Sequence, residues 1–315
     1  MYSHTGDVED GRNATIEDER QAYIEAASTF KDEHWNIIDG NHDEQLYKYE
    51  TAQIHYKDGS YPNTGVDAVT TYDYAGRSRP DVQRWKESYG QDSSYFEKRD
   101  DAHKVSYIYL DTFEGGKVKY ASGYTQPEGV LIGSGKVTAK QLQWLVDTLM
   151  AIPDNYSVVI NSHHTPVAKY IGKNPCDSDD WWKNNINQDV LAGIINAFQD
   201  GTKYVGSSTF TGLDKYDMSA YQANITADFT GKQANRVALW NYGHFHRVGH
   251  TSKADNGRYN MIQNPNMLGQ DWGYIGDARS SQFSTEIIDP EKRTVTVIRF
   301  ASSRRGADTE FTLDY

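Results

Sequence analysis

The stretch Val158–Pro166, with the sequence VVINSHHTP, joins a short apolar run to a cluster of polar side chains. The β-branched residues at 158–160 predict a buried β-strand. His163 and His164 follow at the point where this strand ends. Binding and catalytic residues often lie on loops that a rigid scaffold positions in this way. The stretch therefore predicts a strand of a central sheet with a functional group at its end.

Two further apolar runs, over 35–38 and 237–240, end in similar clusters. The polar clusters that follow them, together with one near the start of the chain, are Gly40-Asn41-His42-Asp43, Gly243-His244-Phe245-His246 and His4-Thr5-Gly6-Asp7-Val8-Glu9-Asp10-Gly11. Asp, Asn and His hold divalent metals in sites built from nitrogen and oxygen. Turn-forming residues explain one such cluster but not four in order. The clusters therefore predict a metal-dependent hydrolase.

Composition excludes several classes of protein. Of the 315 residues, 37% are hydrophobic and 24% are charged, which suits a globular protein with a core. The net charge of −12 argues against binding to nucleic acid or to an anionic membrane. The single cysteine, Cys176, excludes an intramolecular disulfide and a cysteine-based metal site. Neither a membrane span nor a signal peptide is evident, so we expect a soluble protein of unknown compartment and oligomeric state.

Hydrophobic periodicity predicts interleaved helices and strands. Helices are predicted over 15–30, 44–55, 79–89, 138–150 and 188–198. Strands beyond the three already named are predicted over 94–98, 105–110, 283–289 and 294–300, the last two as a hairpin. This alternation favours an α/β fold with mixed sheets.

In their order along the chain, the four clusters resemble the motifs of the calcineurin-like metallophosphoesterases. The shared patterns are Gly-Asp-x-x-Asp-Gly, Gly-Asn-His-Asp, His-His-x-Pro after a strand, and Gly-His-x-His, and they extend from Gly6 to His246. The resemblance implies two packed mixed β-sheets flanked by helices, a four-layer sandwich. It also implies that residues 1–315 form a single domain, with 283–315 as its terminal β-hairpin region.

The resemblance also implies a metal centre. Asp7 would bridge two divalent ions (Mn, Fe, Zn or similar), and a hydroxide between them would attack a phosphoric monoester or diester. Asn41, His163 and His244 would complete one metal site, and His246 would serve the other. The substrate is expected to be phosphorylated, but its identity does not follow from the motifs.

Two residues would act beside the metals. The resemblance makes His42 the acid or transition-state stabiliser next to the phosphate, and Asp43 the residue that orients His42. The choice between His163 and His164 as the metal ligand stays open, because side chains of adjacent residues in extended backbone point to opposite faces. We prefer His163, which follows a small residue at the strand end.

One part of the family pattern is missing. Members begin with an Asp-x-His motif on a strand before Gly-Asp, and no such motif precedes Gly6 here. We therefore expect an N-terminally truncated form without that first strand, in which the second metal site is the weaker. The alternatives are a degenerate, non-catalytic module of a larger surface or phage protein that binds metal or phosphate, and a metal hydrolase that cleaves amides.

Overall fold

The computed structural model describes residues 2–5, 35–38, 40, 95–112, 135–164, 186–209, 218–244, 249–253, 257–264, 283–300 and 310–315. The helices predicted over 15–30, 44–55 and 79–89 lie outside these residues.

The described residues form thirteen strands and two α-helices. The strands are β1 (Tyr2–His4), β2 (Trp35–Ile37), β3 (Phe96–Asp100), β4 (Val105–Leu110), β5 (Ser157–Ser162), β6 (Lys203–Ser207), β7 (Asn224–Asp228), β8 (Val237–Tyr242), β9 (Gly249–Thr251), β10 (Met261–Gln263), β11 (Phe283–Asp289), β12 (Thr294–Phe300) and β13 (Glu310–Asp314). The helices are α1 (Ala139–Ala151) and α2 (Gln188–Asp200), and a short 3-10 helix covers Ser219–Tyr221.

Six strands form a mixed central sheet in the order β3-β4-β5-β8-β10-β9. The four inner strands are parallel, and the two edge strands run antiparallel to their neighbours. Every residue of β5 and β8 is buried, as expected for parallel strands that are covered on both faces. The predicted bounds of β4 are confirmed. β5 and β8 extend two residues beyond their apolar runs, because the polar residues that follow still pair across the sheet.

One face of the central sheet is covered by the two helices. Thr138 caps α1 by accepting a hydrogen bond from the backbone N–H of Gln141 at 3.2 Å. Fully buried residues of the helices, such as Leu145 and Phe198, share one core cluster with Ile160 of β5 and other residues of the sheet. The helices predicted over 138–150 and 188–198 are confirmed with small shifts at their ends. An apolar stripe at helical spacing locates a helix more accurately than it locates the helix ends.

The other face of the central sheet packs on a three-stranded antiparallel sheet, β11-β12-β13, which we call the terminal sheet. Val295 and Val297 of β12 form a second core cluster with Val159, Leu239 and Ile262 of the central sheet. The predicted hairpin of β11 and β12 is confirmed residue by residue. β13 was not predicted. The three strands of the terminal sheet are antiparallel throughout, whereas the resemblance implied two mixed sheets.

The pair β6-β7 was also not predicted. Its residues alternate between partly buried or buried and exposed positions, and Gly206 interrupts β6, so its apolar signal is weak. The described part of the chain is thus a mixed α/β fold with few helices. Within that part, no helix is both long enough and apolar enough to cross a membrane.

Candidate metal centre at the strand ends

Three parallel strands of the central sheet end side by side. The register pairs Leu110 of β4 with Ser162 of β5, and Ser162 with Tyr242 of β8, so the three strands end at the same level. The residues that follow them are Asp111 and Thr112, His163 and His164, and Gly243 and His244. Side chains that are far apart in sequence therefore meet at one edge of the sheet.

The strand β1 ends at this same edge. The Ser3 hydroxyl lies 2.9 Å from the hydroxyl of Tyr109 in β4, and the carbonyl oxygen of Thr5 lies 2.7 Å from Nδ1 of His163. Going from Ser3 to Thr5, the contacts thus move toward the carboxyl ends of β4 and β5, so β1 runs in their direction. β2 is parallel to β1, so both strands run in the direction of β4 and β5.

The hydrogen-bond partner of His163 determines which ring nitrogen carries the proton. A backbone carbonyl can only accept a hydrogen bond, so Nδ1 of His163 must donate its proton to the Thr5 oxygen. In the neutral imidazole Nε2 then carries a lone pair. Nε2 lies 3.1 Å from Nδ1 of His244. The ring of His163 is fully buried and points this lone pair at the neighbouring strand end.

His164 is held by Thr112, which follows β4. The Thr112 hydroxyl oxygen accepts a hydrogen bond from the backbone N–H of His164 at 2.9 Å and lies 3.2 Å from its Nδ1. Both residues are buried: His164 is 2% exposed and Thr112 is 0% exposed. These two contacts with one hydroxyl group hold both the backbone and the ring of His164 in position.

His244 completes a cluster of three imidazoles. Its backbone adopts the left-handed conformation, with φ of 68°, which is uncommon for a residue other than glycine and often marks a functional site. Its ring centroid lies 5.0 Å from that of His163 and 4.4 Å from that of His164. One nitrogen from each of the three rings lies within 4.8 Å of the others. Such a group can hold a single metal ion.

Gly243 allows the chain to approach this closely. A Cβ atom at this position would lie 2.9 Å from the Thr5 carbonyl oxygen and 3.4 Å from Nδ1 of His163. The backbone N–H of Gly243 also donates to the carbonyl of His163 at 3.0 Å. Glycine is therefore required sterically where β1, β5 and β8 meet.

A buried polar chain supports the cluster from the helix side of the sheet. The indole N–H of Trp240 donates to the Ser162 hydroxyl at 2.7 Å, and that hydroxyl donates to the carbonyl of His164 at 2.6 Å. Trp240 is fully buried in the helix-facing core. Hydrogen bonds thus connect the turn after β5 to a side chain of the core.

The structure brings together two of the predicted ligands, His163 and His244, and adds His164. Adjacent side chains point to opposite faces only in extended backbone; β5 ends at Ser162 and the chain bends there, so His163 and His164 both lie next to His244. The remaining predicted site residues lie outside the described residues, and their roles stay predictions: Asp7, Asn41, His42, Asp43 and His246.

Sequence reasoning assigned no role to three residues that shape the cluster: Thr5, Thr112 and Gly243. Thr112 follows a predicted strand, and this position was the only available signal for it. Thr5 acts through its backbone carbonyl, which every residue type has. Gly243 belongs to a recognised motif, but its steric role depends on a strand more than 200 residues earlier.

Comparison with known proteins gives a fold and no family. No family model matches this sequence, and no curated protein matches it. Among solved structures, a dimetal phosphatase from Danio rerio aligns with a TM-score of 0.54 and 14% sequence identity. The alignment covers 99% of this chain and 83% of that one. The two proteins therefore share a fold.

Proposed function

We propose that this chain is a metallophosphoesterase that hydrolyses a phosphoric monoester or diester with the help of two divalent metal ions. The observation that carries the proposal is the convergence of His163, His164 and His244 at neighbouring strand ends. The fold shared with a dimetal phosphatase and the order of the four polar clusters support it.

The chemistry of the donors fits a divalent metal. The Thr5 carbonyl binds Nδ1–H of His163 and leaves Nε2 as the ligand atom, which is the usual way in which a second contact selects the ligating nitrogen. Nε2 lies 3.1 Å from Nδ1 of His244. Two nitrogens that bind one zinc ion at about 2.0–2.1 Å are themselves roughly 3 Å apart. Imidazole donors do not decide among zinc, iron and manganese.

In the proposed centre, His163 and His244 would hold one ion together with Asn41. His246 would hold the other ion, and Asp7 would contribute to both. The Thr5 carbonyl contacts His163, and Asp7 follows Thr5 by two residues in the sequence. Bound ions would lower the pKa of a coordinated water and offset the negative charge of the phosphoryl oxygens.

The chain's own residues would then handle the proton and the geometry. His42 would donate a proton to the leaving oxygen, and Asp43 would hold the ring of His42 in the orientation for that transfer. His164 is the alternative to His163 as a ligand, because its ring lies within the same cluster.

We also propose that residues 1–315 form one domain of the four-layer kind, with 283–315 as its terminal hairpin region. The packing of Val295 and Val297 of the terminal sheet on the central sheet supports this organisation.

The test measures hydrolysis of nitrophenyl phosphate and of bis-nitrophenyl phosphate by the full chain, with added Mn²⁺ and with a chelator. His163→Ala and His244→Ala remove proposed ligands. His103→Ala is the matched control, because His103 is exposed and pairs with the neighbouring Asp100. We expect turnover that requires metal, that is lost in both ligand variants and that is retained in the control.

The other outcomes separate the alternatives. Binding of Mn²⁺ without turnover of either ester would favour a non-catalytic module. Turnover that survives the chelator and both ligand substitutions would place the activity elsewhere in the chain. A folded protein that neither binds Mn²⁺ nor turns over an ester would refute the proposal.

A further inference from the structure

Two asparagines form a side-chain pair behind the histidine cluster. Asn161 of β5 and Asn241 of β8 are partners in the register of the central sheet. Nδ2 of Asn241 donates to Oδ1 of Asn161 at 3.2 Å, and Nδ2 of Asn161 lies 3.3 Å from the carbonyl oxygen of Ile108. Both asparagines are buried. They lie two and three residues before the histidines that the strands present.

The ladder between these two strands is irregular. The register between β5 and β8 shifts between Val158 and Val159, where one strand carries an extra residue. A shift of one residue turns every later side chain to the opposite face. The Asn161–Asn241 contact lies beyond this irregularity, in the register in which the two strand ends meet.

Glu286 of the terminal sheet binds this pair from the other layer. Nδ2 of Asn241 donates to Oε2 of Glu286 at 2.8 Å. Glu286 lies on the same side of β11 as Ile288, which packs into the core between the two sheets. Burial raises the pKa of Glu286 to about 7, while the hydrogen bond from Asn241 and the charge of Arg299 act in the opposite direction. Removing a carboxyl group from water costs free energy unless it is hydrogen-bonded.

Arg299 of β12 makes a second polar contact from the same inner face. Its guanidinium donates through Nη2 to the carbonyl of Gly249 at 2.6 Å and lies over the ring of Phe311. Gly249 begins β9, the next strand after the one that ends before His244. The terminal sheet therefore makes polar contacts to the central sheet on both sides of His244 in sequence.

We propose that Glu286 is a positioning residue for the metal centre. By binding Asn241, and through it Asn161, it sets the register of the ends of β5 and β8 and hence the 3.1 Å separation of the His163 and His244 nitrogens. The expected effect on metal binding rests on the proposed function, whereas the expected effect on the positions of the His163 and His244 rings does not.

The experiment compares three variants of the full chain. Glu286→Leu removes the acceptor, and Glu286→Gln keeps an oxygen that can accept from Asn241. Val297→Ala is the matched control: Val297 is the register partner of Glu286 on β12, is fully buried in the same interface, and loses packing without losing a polar contact to β8.

Three quantities are measured for each variant: the melting temperature, the affinity for Mn²⁺ by calorimetry, and the ring nitrogen shifts of His163 and His244 in the metal-free protein. We expect Glu286→Leu to weaken Mn²⁺ binding about tenfold and to shift both rings, and Glu286→Gln to stay within about threefold of the wild type. Val297→Ala is expected to melt lower while its Mn²⁺ affinity and ring shifts stay unchanged.

The proposal is overturned if Glu286→Leu leaves both affinity and ring shifts unchanged, or if Val297→Ala changes them equally, since the role of Glu286 would then be stability alone. If the wild type binds no Mn²⁺, the proposed function fails, and the metal-free ring shifts still decide the positioning role. If Glu286→Leu does not fold, Asn241→Ala removes the same contacts from the other side and is expected to shift the ring of His163 similarly.

Discussion

Nε2 of His163 lies 3.1 Å from Nδ1 of His244, although 81 residues separate the two histidines in the chain. The carbonyl of Thr5 holds Nδ1–H of His163, so its neutral ring can only accept at Nε2. The hydrogen between the two rings then belongs to His244. A metal ion bound by both nitrogens would take the place of that hydrogen, so this contact is the most direct point at which to test the site.

Loss of either ring should abolish tight metal binding. We expect His244→Ala to weaken Mn²⁺ binding by more than the roughly 10- to 100-fold that is typical of losing a residue that only orients a ligand. Calorimetric titration of the full chain measures this, with His103→Ala as the surface control. Equal affinity in the two variants would contradict the assignment of His244.

Thr112→Val tests the support of His164. The valine keeps the shape of the side chain but removes the oxygen that accepts from the buried N–H of His164 at 2.9 Å. An unsatisfied buried donor costs about 1–3 kcal/mol, so the free energy of unfolding in urea should fall by that amount. Thr296→Val is the matched control, because Thr296 shares a hydroxyl contact with Thr312 on an exposed face. We expect a change below about 0.5 kcal/mol there. Similar losses of stability in both variants would contradict a specific role of Thr112 in supporting His164.

Gly243→Ala tests the steric closure of the site. The added Cβ would approach the Thr5 carbonyl oxygen to 2.9 Å, so β1 or the turn must shift and the contact to His163 must lengthen. We expect lower stability and weaker Mn²⁺ binding together. Gly231→Ala is the comparison: it meets open space but has a φ of 86°, so it should lose about 1 kcal/mol through backbone strain and keep its metal affinity. Unchanged Mn²⁺ affinity in Gly243→Ala would show that the close approach is dispensable.

The carboxyl group of Glu286, which lies partly buried between the two sheets, should make stability depend on pH. Its folded-state pKa of about 7 exceeds the ordinary value of 4.5, so the folded protein keeps a proton that the unfolded chain releases. The stabilising contribution of this proton is complete below about pH 4.5 and is lost as the pH rises through about 7. It amounts to at most about 3.5 kcal/mol, since one pKa unit corresponds to about 1.4 kcal/mol.

Glu286→Gln removes the titrating group while keeping a hydrogen-bond acceptor for Asn241. We therefore expect the free energy of unfolding of the wild type to fall relative to that of the variant between these two pH values. Urea unfolding at several pH values measures the difference. Parallel pH profiles for the two proteins would mean that Glu286 has the same pKa in the folded and unfolded states.

Local patterns predicted the elements that lie inside the core. The stripe of Leu142, Leu145 and Leu149 has helical spacing, and the run at 105–110 has the composition of a buried strand, so both could be located before any contact was known. The pair β6-β7 escaped prediction because its residues are half exposed and include glycine, which leaves a weak pattern. Helix and strand ends were less exact because backbone pairing continues into polar residues.

The sequence by itself determined which residues follow strands, and therefore that His163 and His244 lie at strand ends. It left open whether His163 or His164 faces the site, because that depends on where β5 stops and how the chain bends after Ser162. Only the tertiary structure decided that both rings join His244, that the Thr5 carbonyl selects a ring nitrogen, and that Glu286 reaches Asn241 from a separate sheet. These are contacts between segments distant in the chain, made by backbone atoms and buried polar groups, whereas local periodicity reports only which faces are apolar.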